Sequence, residues 1–541
     1  MESLAINLAN TPRVPLDDSH IAAIRAIGVE RRYAAGEIVV RPGDPMVEFM
    51  LVEEGDVILL DSQTGAQATP GSLRPGQYLG EIAFLNGGVW SMGMQAAADT
   101  RVVVVPREDM LALMARVPEL SDRIVTVFAG RRRRIFENDE SALTLIGADQ
   151  DRDLRRLESF AARNRIAVKK LALGSDEACR LLGEADCALD IPTALFAGRQ
   201  LQDVSPRAVA RLLGLDMPLT GEALFDVAIV GGGPAGIAAA VYAGAEGLRG
   251  IVIENEVIGG QAGSSSRIEN YMGFPTGISG GDLAWRGEMQ AMRLGTRFVM
   301  PRTVTVLARH DDATWELTLD DGESLRARTV VVATGVQYRR LPIARLEEFE
   351  GAGVYYAATD MEARFCKDRH VAIVGGGNSA GQAAMFLARA AAHVHVLIRK
   401  DNLRETMSAY LSSRLEHEPA ITVHPYTEVA ALGGETTLDS CTLRDTRDGS
   451  ERQIDLGGLF VMIGAAPNTG WLEGVVALND KGFVLTGPAA GAATPFGTSA
   501  PGMYAVGDVR LGSVKRVASG VGEGSVVISD VWNYVNDTLQ P

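Results

Sequence analysis

A chain of 541 residues is too long for one ordinary domain of about 150 residues, and 46% hydrophobic with 22% charged content excludes a disordered or fibrous chain. Its 52 basic and 68 acidic residues leave a net charge of −16, a field that repels polyanions, so nucleic acid is not an expected partner. No apolar stretch approaches the roughly 18 residues of a membrane span, and the start MESLAINLANTPRVPLDD lacks a basic and apolar leader, so a cytoplasmic protein with no membrane partner is expected.

Residues 1–135 alternate short β-type runs (EIVVR, EFMLVEE, DVILLD, RVVVVP) with turn signals at Gly36, Pro42-Gly43, Gly55, Gly65 and Pro75-Gly76, which predicts a small β-roll. A helical pattern follows from Pro106 through Arg134. Its run Arg131 to Arg134 is followed by Glu137, Asp139 and Glu140, and reads as a solvated helix face rather than an anion patch. From 141 to 215, strands ALTLIGA, AVKKLAL and TALFAG alternate with helices, predicting a small α/β unit. The mixed stretch GLDMPLTGE is then read as a linker.

Beyond the linker the chain repeats itself. The run LFDVAIV ends in Gly231-Gly232-Gly233-Pro234-Ala235-Gly236, and HVAIV ends in Gly375-Gly376-Gly377-Asn378-Ser379-Ala380. Each is a strand running into a glycine turn that opens a helix, which predicts an α/β fold with two Rossmann-like dinucleotide-binding domains. Gly231 permits the tight turn, Gly233 lets backbone approach a pyrophosphate at the helix N-terminus, and Gly236 permits close helix packing. The strand IVIE ends in Glu254, an acceptor for ribose hydroxyls, whereas VHVLI ends in Arg399-Lys400 with Arg404 beyond. Cations at that place favour a 2′-phosphate, hence NADPH over NADH.

From about 222 onward the chain resembles the low-molecular-weight thioredoxin reductase family of FAD and NADPH flavoproteins. The resemblance is carried by Gly259-Gly260-Gln261, Glu269-Asn270-Tyr271, the run VVVATG with Ala333, Thr334 and Gly335, MIGAAPNT around Gly464, and PGMYAVGD ending in Gly507-Asp508. It implies that Asp508 binds the ribityl region of FAD, that Gly260, Gln261 and Asn270 lie near flavin, and that Arg516-Val517-Ala518 pass beside the isoalloxazine. It also implies an FAD domain split into 222–338 and 466–541, an NADPH domain at 339–465 that rotates between two states, and a homodimer. Ile398 departs from the family's phosphate clamp, where His is usual.

The family carries a C-x-x-C shortly before its second glycine turn. Here the corresponding residues are Ala357, Ala358, Thr359 and Asp360, and the chain has no C-x-x-C at all, its four cysteines being Cys179, Cys187, Cys366 and Cys441. Cys366 is the nearest candidate thiol, with a structural role as the blander reading. Residues 141–215 resemble a thioredoxin or glutaredoxin fold, with Ile191-Pro192 in the place of its cis-proline. That unit has Gly147-Ala148-Asp149-Gln150 where the fold carries its reactive cysteine, and reads as degenerate.

Residues 20 to 135 resemble the cyclic-nucleotide-binding β-roll through Leu79-Gly80-Glu81-Ile82-Ala83-Phe84-Leu85. The resemblance implies a site at Gly80, Glu81, Ile82 and Ala83, with Glu81 on a ribose hydroxyl. Trp90 occupies the place of the phosphate-pairing arginine, and no Lys or Arg occurs from Pro75 to Thr100. The expected function is NADPH-dependent reduction of FAD, with electrons passing to a protein or small-molecule acceptor under the influence of the β-roll. Two alternatives stand beside it: a thioredoxin-disulfide reductase using non-standard cysteines, and a ligand-gated nucleotide-binding regulator without turnover. No metal is expected.

Overall fold

The computed structural model describes residues 15–539 except 61–64, 68–70, 82, 91, 138–142, 149–150, 165, 184–190, 197–198, 214, 217–218, 220–223, 264, 266–267, 269, 351, 357, 359 and 436. The chain divides into two compact units, one running to Gly335 and resuming at Thr469, the other spanning Val336–Asn468. Among the described residues no helix is long and apolar enough to cross a membrane.

The first unit begins with two antiparallel sheets. One orders Val29–Tyr33, Thr100–Pro106, Glu48–Glu54 and Tyr78–Leu79; the other orders Ile38–Val40, Gly93–Ala96 and Val57–Leu60. Their inner faces bury Phe49, Leu51, Val57, Tyr78 and Trp90. Helices Arg107–Arg116 and Pro118–Glu137 follow. The second of these packs back on the roll, and the expected solvated face is corrected at its first arginine. Arg131 is half-buried against the roll: its guanidinium donates to Tyr78 O at 2.9 Å and Gly80 O at 2.5 Å, and sits 5.3 Å from the centre of the Tyr78 ring.

Next comes a four-stranded mixed sheet ordered Arg199–Leu201, Thr193–Phe196, Leu143–Gly147 and Val168–Ala172. The last two strands are parallel and the others antiparallel. The resemblance to the thioredoxin fold stops short at Ile191-Pro192, because the cis peptide among the described residues is Met300–Pro301. Cys179, on the helix Asp176–Leu182, is disulfide-bonded, a link the spacing of the cysteines does not announce. Cys187, Asp149 and Gln150 lie outside the described residues.

The remaining sheet of this unit orders Arg297–Val299, Gly250–Ile253, Leu224–Val230, Ser324–Val332, Trp315–Leu319 and Val304–Arg309, with Met503–Ala505 also paired to Ser324–Val332. Its parallel members are buried on both faces, which is why they read as nearly unbroken Val, Ile and Ala. The helix Pro234–Ala245 crosses over it, and the long helix Val517–Leu539 packs on that helix. The approach is set by Gly524, whose added Cβ would lie 2.1 Å from Ala235 O.

In the second unit, five parallel strands are ordered Val354–Tyr355, Gly458–Val461, His370–Val374, His393–Leu397 and Ile421–His424. Helices Asn378–Leu387 and Ala409–His417 pack against them. A three-stranded antiparallel sheet, Thr427–Gly433, Ser440–Asp445 and Glu451–Asp455, completes the unit. The sequence had placed this domain at 339–465.

Candidate active site

In the first unit the turn after Leu224–Val230 is crowded by backbone. Gly231 has φ 109°, and an added Cβ would lie 2.4 Å from Ala333 O. At Gly236 a Cβ would come within 1.9 Å of Gly231 O, so the helix is drawn tightly under the turn. Gly233 caps the helix Pro234–Ala245, and its Cβ position has no atom within 4 Å. Unpaired N–H groups at a helix N-terminus with open space before them fit a pyrophosphate.

Glu254 ends the neighbouring strand with 6% exposure. Its carboxylate accepts from Gly232 N at 2.6 Å and from Glu256 N at 2.9 Å. Burial pushes its pKa up, while the N–H groups of Gly232 and Glu256 oppose that rise. A carboxylate has about four acceptor sites, and those not filled by backbone N–H groups can accept from ribose hydroxyls.

Gly507 brings Asp508 to the same helix N-terminus, its added Cβ lying 3.0 Å from Ala235 Cβ. Gly507 N donates to Glu523 at 2.6 Å, and Arg510 Nε donates to the same carboxylate at 2.9 Å, fixing this turn to the long helix. Burial raises the Asp508 pKa, and Lys515 draws it back. Arg516, Val517 and Ala518 stand at the start of the long helix, Arg516 exposed. Gly260 and Gln261 open a short helix, and Asn270 is exposed. Ala333 is buried beside Thr334 and Gly335 at the end of the central strand. Gly260 and Gly507 are brought against this turn, an added Cβ on Gly260 lying 3.2 Å from Gly233 Cα, while Glu269 lies outside the described residues.

The second unit repeats the arrangement with looser parts. An added Cβ on Gly375 would lie 2.4 Å from Met462 O, and one on Gly377 meets nothing within 4 Å. Gly377 caps Asn378–Leu387, so this turn also fits a pyrophosphate. Asn378 Oδ1 accepts from Ser408 N at 2.8 Å. Ser379 follows in the first turn of the helix, and Ala380 is buried at the third small position. Beyond the strand His393–Leu397, Ile398 is buried, and an added Cβ on Gly376 would lie 3.4 Å from its Cγ2. Arg399 is exposed and makes no ion pair among the described residues. Lys400 pairs with Glu405, and Arg404 with Glu416 at 3.2 Å. Exposed pairs of this kind contribute about 0–1 kcal/mol, so an arriving phosphate can displace them. Gly464, at φ 92°, accepts from Arg339 N at 3.0 Å.

Where the family's thiols would stand, Ala358 is half-buried, and Ala357 and Thr359 lie outside the described residues. Asp360 starts the helix Asp360–Phe365. Cys366 is fully buried, donates weakly to Gly457 O at 3.7 Å, and has its thiol pushed up to about 11 by burial. Cys441 is equally buried, at about 12. Neither is a ready nucleophile at neutral pH.

In the β-roll, Gly80 has φ 132°, and its added Cβ would lie 2.7 Å from the Phe128 ring of the returning helix. Glu81 is half-buried, Ala83 is buried, and Ile82 lies outside the described residues. Trp90 is 3% exposed and packs within the roll's core. The cations missing from the segment arrive from elsewhere. Arg131 reaches Gly80, and Arg107 donates to Phe84 O at 2.6 Å and to Leu85 O. Sequence reasoning missed both, although the arginine run was a signal for the first.

Comparison with known proteins agrees with this geometry. The family model "Pyridine nucleotide-disulphide oxidoreductase" matches residues 225–524, and "Cyclic nucleotide-binding domain" matches residues 30–117. The chain is 34% identical over 319 residues to the thioredoxin reductase of Treponema pallidum (strain Nichols), covering 59% of this chain and 99% of that protein. It is 34% identical over 311 residues to the thioredoxin reductase of Streptomyces clavuligerus, covering 57% and 94%. The crystal structure of thioredoxin reductase from Streptococcus pyogenes MGAS5005 is similar with TM-score 0.50 and 29% identity, over 58% of this chain and 99% of that one.

Proposed function

Because the chain belongs to the pyridine nucleotide-disulphide oxidoreductase family and is an NADPH-dependent FAD oxidoreductase, we propose that its electrons leave by a route other than the family's thiol pair. When bound, the two cofactors supply hydride donation and two-electron acceptance. The chain's own residues bind and orient. Gly233, Ala235 and Gly236 present backbone N–H groups to the FAD pyrophosphate, with Gly231 making the turn and Pro234 setting the first helical residue, while Glu254 accepts from its ribose and Asp508 from its ribityl chain. Gly377 with Asn378 and Ser379 does the same for NADPH, and Arg399, Lys400 and Arg404 hold its 2′-phosphate.

The observation that carries this reading is the pairing of two open helix N-termini, one backed by the buried carboxylate of Glu254 and the other by the exposed Arg399. The acceptor is a protein or small molecule that meets reduced flavin directly. We place the roll at 1–135 and the thioredoxin-like unit at 141–215 as modules acting on this reductase, with a nucleotide as the roll's ligand. A cytoplasmic homodimer completes the proposal. The test is anaerobic mixing of the FAD-loaded protein with NADPH or NADH while flavin absorbance is followed. Rapid bleaching with NADPH, and slower bleaching with NADH, is expected; persistent yellow colour with NADPH defeats the reading.

One observation favours a second reading. Cys179 is disulfide-bonded, so the thioredoxin-like unit carries an oxidised thiol of the kind a disulfide reductase acts on. By that reading the chain reduces disulfides, as its relatives' name says of them, using this unit. Loss of disulfide reduction on replacing Cys179, with NADPH bleaching intact, would support it; retention excludes it.

A further inference from the structure

We propose that Asn86, a residue of the β-roll, is a positioning residue for the flavin site. Asn86 ends the short helix Ala83–Asn86 with 5% exposure, and it spends both ends of its amide on one residue of the flavin fold. Its Nδ2 donates to Phe298 O at 2.7 Å, and its Oδ1 accepts from Phe298 N at 2.7 Å. Phe298 lies in Arg297–Val299, the edge strand of the flavin sheet. A side-chain amide has the donor and acceptor pattern of a peptide group, so Asn86 closes that edge as a one-residue strand would.

The clamp falls one residue from the backbone that holds Glu254. Glu254 N donates to Val299 O at 3.0 Å, and Arg302 N donates to Glu254 O at 2.8 Å. The Glu254 carboxylate in turn binds Gly232 N, inside the glycine turn, at 2.6 Å. From Asn86 to the turn, every link is therefore a short hydrogen bond or an adjacent residue. On the roll side the helix cannot drift, because Arg107 grips the carbonyls of Phe84 and Leu85 and Gly88 N donates to Ala83 O at 2.8 Å. Removing the amide strands a buried N–H and a buried C=O on Phe298, and the edge strand must shift to satisfy them.

This inference rests on the proposed placement of the FAD ribose at Glu254. It is tested by deflavinating the full chain and titrating with FAD, read by quenching of FAD fluorescence. Asn86→Ala is expected to weaken FAD binding about tenfold, as loss of a buried bonded pair does, with NADPH affinity unchanged. Asn86→Gln, which keeps the amide, is expected to stay within about threefold of the unaltered protein. Arg293→Gln is the docking control: it breaks the 3.2 Å ion pair of Arg293 with Asp122, another contact between roll and flavin fold that does not touch Phe298.

Unaltered FAD affinity in Asn86→Ala overturns the proposal, and so does equal weakening by Arg293→Gln. Should Asn86→Ala fail to fold, Asn86→Asp replaces it; the acid keeps an acceptor for Phe298 N but sets an oxygen against Phe298 O, and must bind FAD less tightly than Asn86→Gln. Glu254→Gln separates the two failures. If it weakens FAD while Asn86→Ala does not, the positioning role falls alone; if it has no effect, the placement of the ribose falls first.

Discussion

The two glycine turns begin from the same strand-turn-helix pattern and end as different sites. Around Gly231 the fit is so close that a Cβ on Gly236 would lie 1.9 Å from a carbonyl oxygen, and the carboxylate behind it is 6% exposed. Around Gly375 the third small position tolerates Ala380, and the cations behind it stand in solvent. A buried acceptor held by backbone N–H groups suits a cofactor that stays, whereas exposed cations in weak surface pairs suit one that arrives and leaves each turnover. The difference teaches that the motif alone sets only the kind of ligand; the packing beneath and the charge beyond set how long it is kept.

The contrast breaks most sharply at the third small position. Gly236→Ala presses a methyl on Gly231 O, a backbone atom that can move only by opening the turn, and overpacking of this sort costs about 1–3 kcal/mol or more. The variant is expected to purify without flavin. Ala380→Gly removes one buried methyl and some helix propensity, about 1 kcal/mol each, so it should keep its flavin and most of its affinity for NADPH. Flavin content by absorbance and thermal unfolding check both. Next in size, Arg399→Gln should raise KM for NADPH about ten- to hundredfold, the equivalent of one charge-assisted bond, and leave KM for NADH nearly as it was. Equal losses for both nucleotides would show that Arg399 does not meet the 2′-phosphate.

Those two turns were legible in the sequence because a dinucleotide dictates local backbone geometry, and only small residues at fixed spacing provide it. Glu254 and Arg399 drew notice for a related reason: each follows closely on a strand next to such a turn. What escaped was whatever depends on a distant segment folding back. Arg131 carries the same charge and neighbours whether its helix face meets water or the roll, and only docking against Gly80 decides. Asn86 has no local signature, since its partner Phe298 belongs to another domain. The bond at Cys179 escaped because the spacing of the cysteines matches no redox motif.

A smaller effect concerns pH and separates the second unit from the first. His370, His395 and His424 form a chain of shared hydrogen bonds at 3.1 and 3.0 Å, ending on Arg452 at 2.8 Å from His424. Burial, with the neighbouring histidines and Arg452, pulls both His395 and His424 down to about 4. Their unfolded pKa is near 6.5, so between about 6.5 and 4 the unfolded chain binds more protons than the folded one. Stability from these groups is fully present above about pH 6.5 and is lost as pH falls through that window. Urea midpoints of the second unit's unfolding, taken at pH 7 and pH 5, should fall on acidification, and His395→Leu should flatten the fall. An unchanged slope in that variant would show the histidine chain is not its source.

The smallest expected effect bears on the electron exit. Cys366 and Cys441 are the thiols of the second unit, and both are buried, with Cys366 at about 11. At neutral pH only about one Cys366 in ten thousand would be thiolate, the form that attacks a disulfide or carries an adduct. An added Cβ on Gly458 would lie 2.6 Å from its sulfur, so the buried side chain is packed tightly against backbone. Cys366→Ala should therefore lower the melting temperature by a few degrees, as loss of a small buried group does, and leave NADPH-driven flavin reduction and acceptor turnover within about twofold of the unaltered protein. If turnover collapses while flavin reduction persists, the thiol is the exit, and the second unit serves as more than an NADPH-binding fold.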